Sequence, residues 1–255
     1  MRKKVFQAGA CVFGEGNPKI CVPIVAENRT DIWNRAEEIA SLPIDIVEWR
    51  ADYYEDVFEK AELSAVLKGL KARLGEKALL FTFRTKGEGG NRAIDQGTYD
   101  RLNRLAAFQG ADLVDVEAYL PGERAEEIKE LHKEGCRVIA SSHDFQKTPL
   151  VEEMTERLRY MEELGADAAK LAVMPLGRQD VLNLLQASIK ADEELSIPVI
   201  TMSMGQQGVV SRICGRFSGS AMTFAAVGDA SAPGQISAEQ MMRILGVLNG
   251  TRETG

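Results

Sequence analysis

The sequence predicts a single α/β domain, residues 1–255, that closes into a (βα)8 TIM barrel. Apolar strand-like runs alternate with amphipathic helical segments along almost the whole chain, and the runs end at intervals of roughly 24 to 35 residues, the length of a βα unit. Eight such units in 255 residues match a typical barrel, and no Pro-, Gly- or Ser-rich linker divides them. An open, doubly wound sheet is the alternative, and the chain length favours the barrel.

Each predicted strand is a short apolar run followed by apolar residues at helical spacing. The strands are predicted over Ile20–Ala26, Ile44–Arg50, Ala78–Arg84, Leu113–Glu117, Arg137–His143, Ala168–Val173, Pro198–Ser203 and Ala221–Val227. A further alternating stretch, Lys4–Phe13, precedes them and is interrupted at Gly9. We expect this stretch to form a short N-terminal β-hairpin that closes the bottom of the barrel.

Local residues predict where several helices begin and end. Thr148 before Pro149 is typical of an N-cap followed by proline at the first helical position. Gly165 predicts the end of the same helix, because glycine readily adopts the left-handed conformation. Ser237 with Gln240 is typical of a capping box at the start of the last helix.

The composition argues against several functional classes. A net charge of −7 disfavours a nucleic-acid partner, because phosphate backbones are bound by clustered lysine and arginine. Every apolar run is shorter than a membrane-spanning helix or a signal-peptide core, so we expect no membrane association and a cytoplasmic location. The four cysteines lie far apart without a Cys-x-x-Cys pair. This spacing predicts reduced thiols rather than a zinc site or a disulfide framework.

Polar residues at strand ends indicate where the chemistry occurs, since barrel enzymes place their active sites at the C-terminal face. Alternate residues of a strand point to the same side, so Ile46, Glu48 and Arg50 share one face. Arg84 ends the next strand in the same way. Charged side chains at the end of an otherwise apolar inward face predict the floor of a site.

Lys170 is the most informative residue of this set. It lies within the apolar run Ala168–Val173, where burial would disfavour the charged ammonium form. A neutral amine can attack a carbonyl carbon and form a Schiff base. The alternative interpretation is a lysine whose long side chain leaves the strand and reaches water.

His143 ends the strand before that of Lys170, on the face that it shares with Ile139 and Ser141. Adjacent parallel strands lie about 4.8 Å apart, so the two side chains can project into one barrel mouth. This pairing favours a catalytic role for both over two structural roles. The other histidine, His132, lies on a helical stretch beside charged residues and is interpreted as a surface residue.

A glycine-rich segment, Gly87–Asn91, follows the third predicted strand. A phosphate-binding loop is disfavoured, because Glu88 would repel a phosphate and no Gly-Lys-Ser/Thr follows. A carboxylate beside His143 would instead raise the basicity of the imidazole and fix its orientation. The alternative is that Glu88 is a solvated loop residue.

Two loops after the last two strands border the same mouth. The first, Met204–Arg212, ends with a guanidinium that matches a carboxylate bidentately. The second offers neutral hydrogen bonds from Ser231 and Gln235. The alternative is a pair of ordinary glycine-containing turns.

Together these segments resemble the type I 3-dehydroquinate dehydratase family. The resemblance is carried, in the family's order and spacing, by Glu48-Trp49-Arg50, Thr82-Phe83-Arg84-Thr85, Ser142-His143-Asp144-Phe145, Lys170-Leu171-Ala172-Val173-Met174-Pro175, Ser211-Arg212 and Ser231-Ala232-Pro233-Gly234-Gln235-Ile236. It covers nearly the whole chain. It implies a homodimeric enzyme of the shikimate pathway that converts 3-dehydroquinate to 3-dehydroshikimate and water, with no metal and no organic cofactor.

By position, the resemblance implies a role for each site residue. Lys170 would form the imine with the C3 ketone, His143 would move the protons of a syn elimination, and Glu88 would be the carboxylate partner of that histidine. The ring hydroxyls of the substrate would be bound by Glu48, Arg50 and Arg84. Its carboxylate end would be bound by Arg212, Ser231 and Gln235.

Two other functions compete with this expectation. A class I aldolase or transaldolase also uses a barrel-strand lysine, but it usually needs a phosphate pocket, for which the sequence offers no clear glycine loop at a helix N-terminus. A catalytically silent barrel that binds a carboxylate ligand is the second alternative. The joint presence of Lys170 and His143 argues against it.

Overall fold

Parallel strands form the centre of the protein, and each lies beside the strand that precedes it along the chain. The computed structural model describes residues 4–227 and 236–248. Within these ranges the eight central strands are β3 (Lys19–Ile24), β4 (Ile46–Arg50), β5 (Ala78–Thr82), β6 (Leu113–Glu117), β7 (Arg137–Asp144), β8 (Ala168–Val173), β9 (Val199–Ser203) and β10 (Met222–Ala226). Three shorter strands are β1 (Phe6–Ala8), β2 (Cys11–Phe13) and β11 (Ile236–Ser237), which pairs with the end of β10.

The two ends of this sheet meet, so the sheet closes. At one end β10 pairs with β3, and Met222 lies opposite Lys19. At the other end Val199 of β9 forms a parallel bridge with Ser220. The adjoining backbone N–H of Ala221 donates to the carbonyl oxygen of Val199 at 2.8 Å. The predicted eight-stranded barrel is confirmed.

Helices cover the outside of the barrel and connect its strands. In the described part of the chain they are α1 (Arg29–Ala40), α2 (Lys60–Leu74), α3 (Gln96–Phe108), α4 (Arg124–Lys133), α5 (Val151–Glu163), α6 (Arg178–Glu194), α7 (Val209–Ile213), α8 (Gly215–Ser218) and α9 (Ala238–Leu248). Their apolar faces bury residues such as Ile32, Leu67 and Leu158 against the outward side chains of the strands. This burial stabilises the fold by about 25 cal/mol per Å² of apolar surface removed from water.

A second apolar cluster fills the lower half of the barrel interior. It contains Ile46, Leu80 and Ile139, so the inward face that strand parity predicts is confirmed. The hairpin of β1 and β2 lies beneath this cluster, where the rings of Phe6 and Phe13 stack with centroids 4.7 Å apart.

Two backbone contacts hold the hairpin at the barrel bottom. The N–H of Lys4 donates to the carbonyl of Ser196 at 2.6 Å, and that of Ala10 donates to Glu76 at 2.9 Å. Both acceptors lie in loops that enter barrel strands. Gly9 is required at the turn, because its φ is +56° and a Cβ there would lie 2.7 Å from the Glu76 carbonyl oxygen.

The predicted boundaries of the eight barrel strands agree with the structure to within two residues at every end, and one predicted cap is wrong. Helix α5 begins at Val151, and its N-cap is Leu150 rather than Thr148. The Thr148 hydroxyl instead donates across the barrel face to the carbonyl of Met174, at 3.0 Å. The end of α5 is confirmed by Gly165, whose φ is +90°.

The start of α9 also agrees with its prediction. The Gln240 backbone N–H donates to the Ser237 hydroxyl at 3.2 Å. None of the helices within 4–227 and 236–248 is long and apolar enough to cross a membrane.

His132 is not the simple surface residue that the sequence predicts. Its side chain is 31% exposed, and Nε2 lies 2.7 Å from Oδ2 of the buried Asp167. The same carboxylate accepts from the Val138 N–H at 2.9 Å and from Arg137 at 3.2 Å. Asp167 therefore ties α4 and β7 to the start of β8, at the end of the barrel away from the polar strand ends.

Candidate active site

Polar and charged side chains fill the upper half of the barrel, at the C-terminal ends of β4 to β8. They follow the apolar inward positions of the same strands, as strand parity predicts. Glu48, Arg84, Asp115, Ser141 and Lys170 are all at least 96% buried. Because burying charged groups is costly unless they are paired, this cluster requires partners for each of its members.

Lys170 projects from β8 into this cluster. Its Nζ donates to Oδ2 of Asp115 at 3.0 Å and lies 3.9 Å from Oε1 of Glu48. The ring of Phe224 closes the other side, with Nζ 4.7 Å from its centroid. The side chain is buried and does not reach bulk water, so the alternative of a lysine that extends from the strand into solvent is wrong. The predicted apolar surrounding is also wrong in part, since two carboxylates lie within 4 Å of the amine.

Asp115 is the centre of the polar network. Its Oδ1 accepts from the Ser141 hydroxyl at 2.6 Å and forms an ion pair with Nη2 of Arg84 at 2.8 Å, while Oδ2 accepts from Lys170. Burial alone would raise the pKa of this carboxyl, but Arg84 and Lys170 outweigh it and hold the pKa well below its usual range. The two cations beside it therefore favour the anionic form of Asp115.

Arg84 connects three carboxylates, two on β6 and one in the loop after β5. Besides Asp115, Nη1 donates to Oε1 of Glu117 and to the Ser141 hydroxyl, both at 3.0 Å, and lies 3.6 Å from Glu88. Burial opposes its charge, but Asp115 and Glu117 more than offset that effect and hold the pKa of Arg84 above its ordinary value. Its guanidinium is thus engaged by protein groups and also lines the cavity above Lys170.

His143 projects from β7, the neighbour of β8, and its Nδ1 lies 2.9 Å from Oε2 of Glu88. Glu88 is thus brought beside the imidazole, as predicted, and is not a solvated loop residue. The predicted rise in basicity is wrong. Burial, followed by the charges of Arg84 and Lys170, lowers the pKa of His143 well below its ordinary value. Burial also raises the pKa of Glu88 to about 8, against the opposing effect of Arg84.

The glycines around Glu88 are explained by close packing rather than by phosphate binding. A Cβ at Gly90 would overlap the carbonyl oxygen of Arg84, and one at Gly89, whose φ is +81°, would overlap the ring of Phe145. The Gly90 N–H donates to the carbonyl of Thr85 at 2.8 Å. This tight turn folds the loop back over β5 and directs Glu88 towards His143.

Arg50 lies at the rim of the cluster, at the end of β4. Its Nε and Nη2 donate to the two oxygens of Asp52, both at 2.8 Å. Asp52 is fully buried and also accepts from the Asn91 N–H at 2.9 Å, so it joins the end of β4 to the loop that carries Glu88.

A cavity lies above Lys170 and His143, with a volume of about 70 Å³. Its wall is lined by Glu48, Arg50, Arg84, His143, Lys170, Ala172, Met202, Met204, Arg212 and Phe224. Arg212 belongs to α7 and is buried, which lowers its pKa to about 10. Ser231 and Gln235 lie outside the described residues.

Comparison with known proteins identifies the family. The family model for type I 3-dehydroquinase matches residues 20–252. The chain is 44% identical to the 3-dehydroquinate dehydratase of Clostridioides difficile (strain 630), over 98% of each chain. The chain belongs to the type I 3-dehydroquinase family. The family predicted from the sequence is therefore confirmed, and membership classes the chain with the lyases of EC 4.2.1.10.

Solved structures of dehydroquinases have the same fold. The crystal structure of the type I enzyme from Clostridium difficile, with covalent modified comenic acid, has a TM-score of 0.95 at 43% identity, and the match covers 98% of this chain and 100% of that one. The structure from Geobacillus kaustophilus HTA426 has a TM-score of 0.94 at 35% identity, with 98% of each chain covered.

Two buried acids of the site, Asp115 and Glu117, were not predicted from the sequence. Both lie on β6, two and four residues after the inward-facing Leu113, and so point to the same side of the strand. Strand parity could therefore have predicted them. Glu117 accepts from the Thr85 N–H at 2.8 Å and from its hydroxyl at 2.7 Å. It therefore anchors the end of β5, while Asp115 contacts Lys170.

Proposed function

We propose that the chain dehydrates 3-dehydroquinate to 3-dehydroshikimate by a syn elimination through a Schiff base on Lys170, with His143 as the proton carrier. The observation that carries the proposal is the approach of an amine and an imidazole from neighbouring strands to one cavity. On those strands Ser141 pairs with Lys170, and His143 pairs with Ala172. The two functional groups thus lie on the same side of the sheet, one pleat apart.

Lys170 is the proposed nucleophile. The lysine, counted as its ammonium, and the C3 ketone would condense to a protonated imine with release of one water, the neutral amine being the form that attacks; this converts the ketone into a stronger electron sink. The adjacent C2–H bond then becomes acidic enough to be broken by an imidazole. Phe224 and the methionines Met202 and Met204 form an apolar wall beside the amine, which keeps bulk water from the reacting atoms.

His143 is the proposed base and acid. Its low pKa keeps the imidazole neutral near pH 7, which is the form that accepts a proton. When the Glu88 carboxylate accepts from the Nδ1–H, Nε2 carries the lone pair and can take the C2 proton. The imidazolium then returns that proton to the departing C1 hydroxyl, which leaves as water.

The remaining cavity residues are proposed to hold the substrate. Arg212 offers a buried cation for the substrate carboxylate. As the family resemblance implies, Ser231 and Gln235 are proposed to bind the same end of the substrate. Glu48, Arg50 and Arg84 also line the cavity and are proposed to bind the ring hydroxyls.

The wider setting is also a proposal. We infer one domain over residues 1–255, a cytoplasmic homodimer and a place in the shikimate pathway. The free thiols of all four cysteines support a reducing compartment, and the family supports the pathway. Light scattering of the purified protein tests the dimer, because a monomer and a dimer differ twofold in mass.

The proposed reaction is tested by the ultraviolet absorbance of its product, a conjugated enone carboxylate. We expect absorbance to rise when 3-dehydroquinate is added to the wild-type protein and to stay at baseline with Lys170→Ala. The matched control is Lys133→Ala, since that lysine side chain is 67% exposed and should leave the rate unchanged. Wild-type product formation by Lys170→Ala would refute the role of the lysine.

A further inference from the structure

Oδ2 of Asp115 is the carboxylate oxygen that contacts Nζ of Lys170, the nitrogen that reacts in the proposed mechanism. Oδ1 of Asp115 is fixed by Ser141 and Arg84, at 2.6 and 2.8 Å, and Oδ2 accepts from Nζ of Lys170 at 3.0 Å. Glu48, the other carboxylate near Nζ, lies 3.9 Å away and is engaged by the Thr82 hydroxyl at 2.9 Å. Within the described ranges, Asp115 is therefore the direct acceptor of Lys170.

The nitrogen keeps an N–H through every step of the proposed reaction. The ammonium and the ketone give a protonated imine, C=N(H)⁺, and one water. Loss of the C2 proton gives a neutral enamine that still carries this N–H. The enamine nitrogen then gives up its electron pair as the C1 hydroxyl, protonated by the imidazolium, leaves as water, so that a C1=C2 bond and a conjugated protonated imine form. Hydrolysis consumes one water and restores the ketone and the ammonium, so atoms and charge balance.

We propose that Asp115 is a catalytic residue that accepts this N–H throughout the cycle, keeps the imine protonated and sets the plane of its C=N bond. The proposal rests on the Schiff base proposed above. A protonated imine has a single N–H, so an acceptor in a fixed direction fixes the plane of the C=N bond. The C2–H bond must be perpendicular to that plane for its electrons to overlap with the π system of the C=N bond. The reaction therefore requires the acceptor to lie in the correct direction.

Charge supports the same role. Only the protonated imine is a strong electron sink, and a carboxylate anion about 3 Å from a cation in a buried site favours that cation strongly. Asp115 cannot serve as a base instead, because Arg84 and Lys170 overcome the effect of burial and hold its pKa well below the usual range. Asp115 therefore keeps its negative charge while the lysine nitrogen is converted from ammonium to imine and enamine.

The matched pair of variants is Asp115→Asn and Glu117→Gln. Both remove one buried carboxylate from β6 at nearly constant shape, and both carboxylates contact Arg84, but only Asp115 contacts Lys170. For each variant, kcat is measured against pH, and the borohydride-trapped adduct on Lys170 is measured by mass spectrometry.

We expect Asp115→Asn to form the trapped adduct yet to lose kcat on the order of 10²-fold, the size of effect seen when one preorganised electrostatic contact is removed. The fall of kcat at alkaline pH should begin at least one pH unit lower than in the wild type, because the imine loses its proton more easily. Glu117→Gln should keep the wild-type alkaline limb.

The proposal is overturned if Asp115→Asn keeps the wild-type alkaline limb, or if Glu117→Gln shifts it equally. Ser141→Ala covers the case in which Asp115→Asn does not fold. It keeps the negative charge but removes the hydroxyl that fixes the direction of the carboxylate, so we expect the trapped adduct to form while kcat falls, by less than in Asp115→Asn; a wild-type kcat contradicts the proposal. Absence of a Lys170 adduct in the wild type would instead refute the Schiff base, so the two failures are distinct.

Discussion

Nδ1 of His143 lies 2.9 Å from Oε2 of Glu88, and both side chains are largely buried. Burial acts in opposite directions on the two groups, since it lowers the pKa of the imidazole and raises that of the carboxyl to about 8. The proton shared by this pair therefore decides which imidazole nitrogen is free. A Glu88 carboxylate accepts from Nδ1–H and leaves Nε2 as the base, whereas a Glu88 carboxyl group donates to Nδ1 and leaves Nε2 protonated.

The first prediction concerns the pH dependence that follows from this pair. We expect kcat/KM of the wild type to rise with pH up to about 8, as Glu88 loses its proton in the free enzyme. Glu88→Gln should abolish this limb, because the neutral amide oxygen can accept from Nδ1–H at every pH. An identical limb in Glu88→Gln would show that another group controls it.

The second prediction separates the imine from the proton transfer. His143→Ala keeps Lys170 and its partner Asp115, so borohydride with 3-dehydroquinate should still trap an adduct at the wild-type yield. Turnover should fall by about 10²- to 10⁴-fold, the usual contribution of a general base. The control is His132→Ala, whose partner Asp167 lies away from the site. Wild-type turnover of His143→Ala would remove its proposed role.

The third prediction concerns the turn that carries Glu88. A methyl group at Gly90 would overlap the carbonyl oxygen of Arg84, so Gly90→Ala must displace the turn. We expect a loss of about 1–3 kcal/mol in the free energy of unfolding, the usual cost of overpacking, together with reduced kcat. Gly87→Ala, in the same loop, is the control, because a Cβ there would lie 3.6 Å from the Thr85 hydroxyl oxygen, an ordinary van der Waals distance. Denaturant unfolding of both variants measures the difference, and equal stabilities would contradict the packing argument.

The fourth prediction concerns stability away from the site. Burial would raise the pKa of Asp167, but His132, the Val138 N–H and Arg137 outweigh it and lower that pKa. A lowered folded-state pKa contributes stability that is present above the unfolded value of about 3.9 and is lost as the pH falls through the folded value. Asp167→Asn should cost about 1–3 kcal/mol at pH 7, and less as the solution is acidified below about pH 4.

Thermal unfolding at several pH values checks this fourth prediction. The control is Glu130→Gln, whose partner Lys133 is 67% exposed, because surface ion pairs contribute little to stability. A loss for Asp167→Asn that does not change with pH would contradict the ionic origin of the effect.

Much of the fold could be predicted from the sequence because period-2 and helical patterns are local. Strand parity alone predicts that Glu48, Lys170 and His143 lie on inward faces, and all three line the cavity. The N-terminus of α5 was predicted wrongly, since Thr148 bonds to Met174, which is distant in sequence.

The polar network of the site was less predictable. That Arg84 joins Asp115, Glu117 and Glu88 depends on which strands are neighbours and on how the glycine turn folds back. The direction of the pKa shift of His143 depends on the balance between burial and several charges. A linear sequence gives the residue types but not these distances.

The most direct test of the central claim is reductive trapping followed by peptide mapping. Wild-type protein is treated with borohydride in the presence of 3-dehydroquinate, and the modified peptide is sequenced by mass spectrometry. Attachment of one reduced ligand to Lys170, absent from Lys170→Ala, is the predicted result. Attachment to a different lysine, or unmodified protein that nevertheless forms product, would contradict the account.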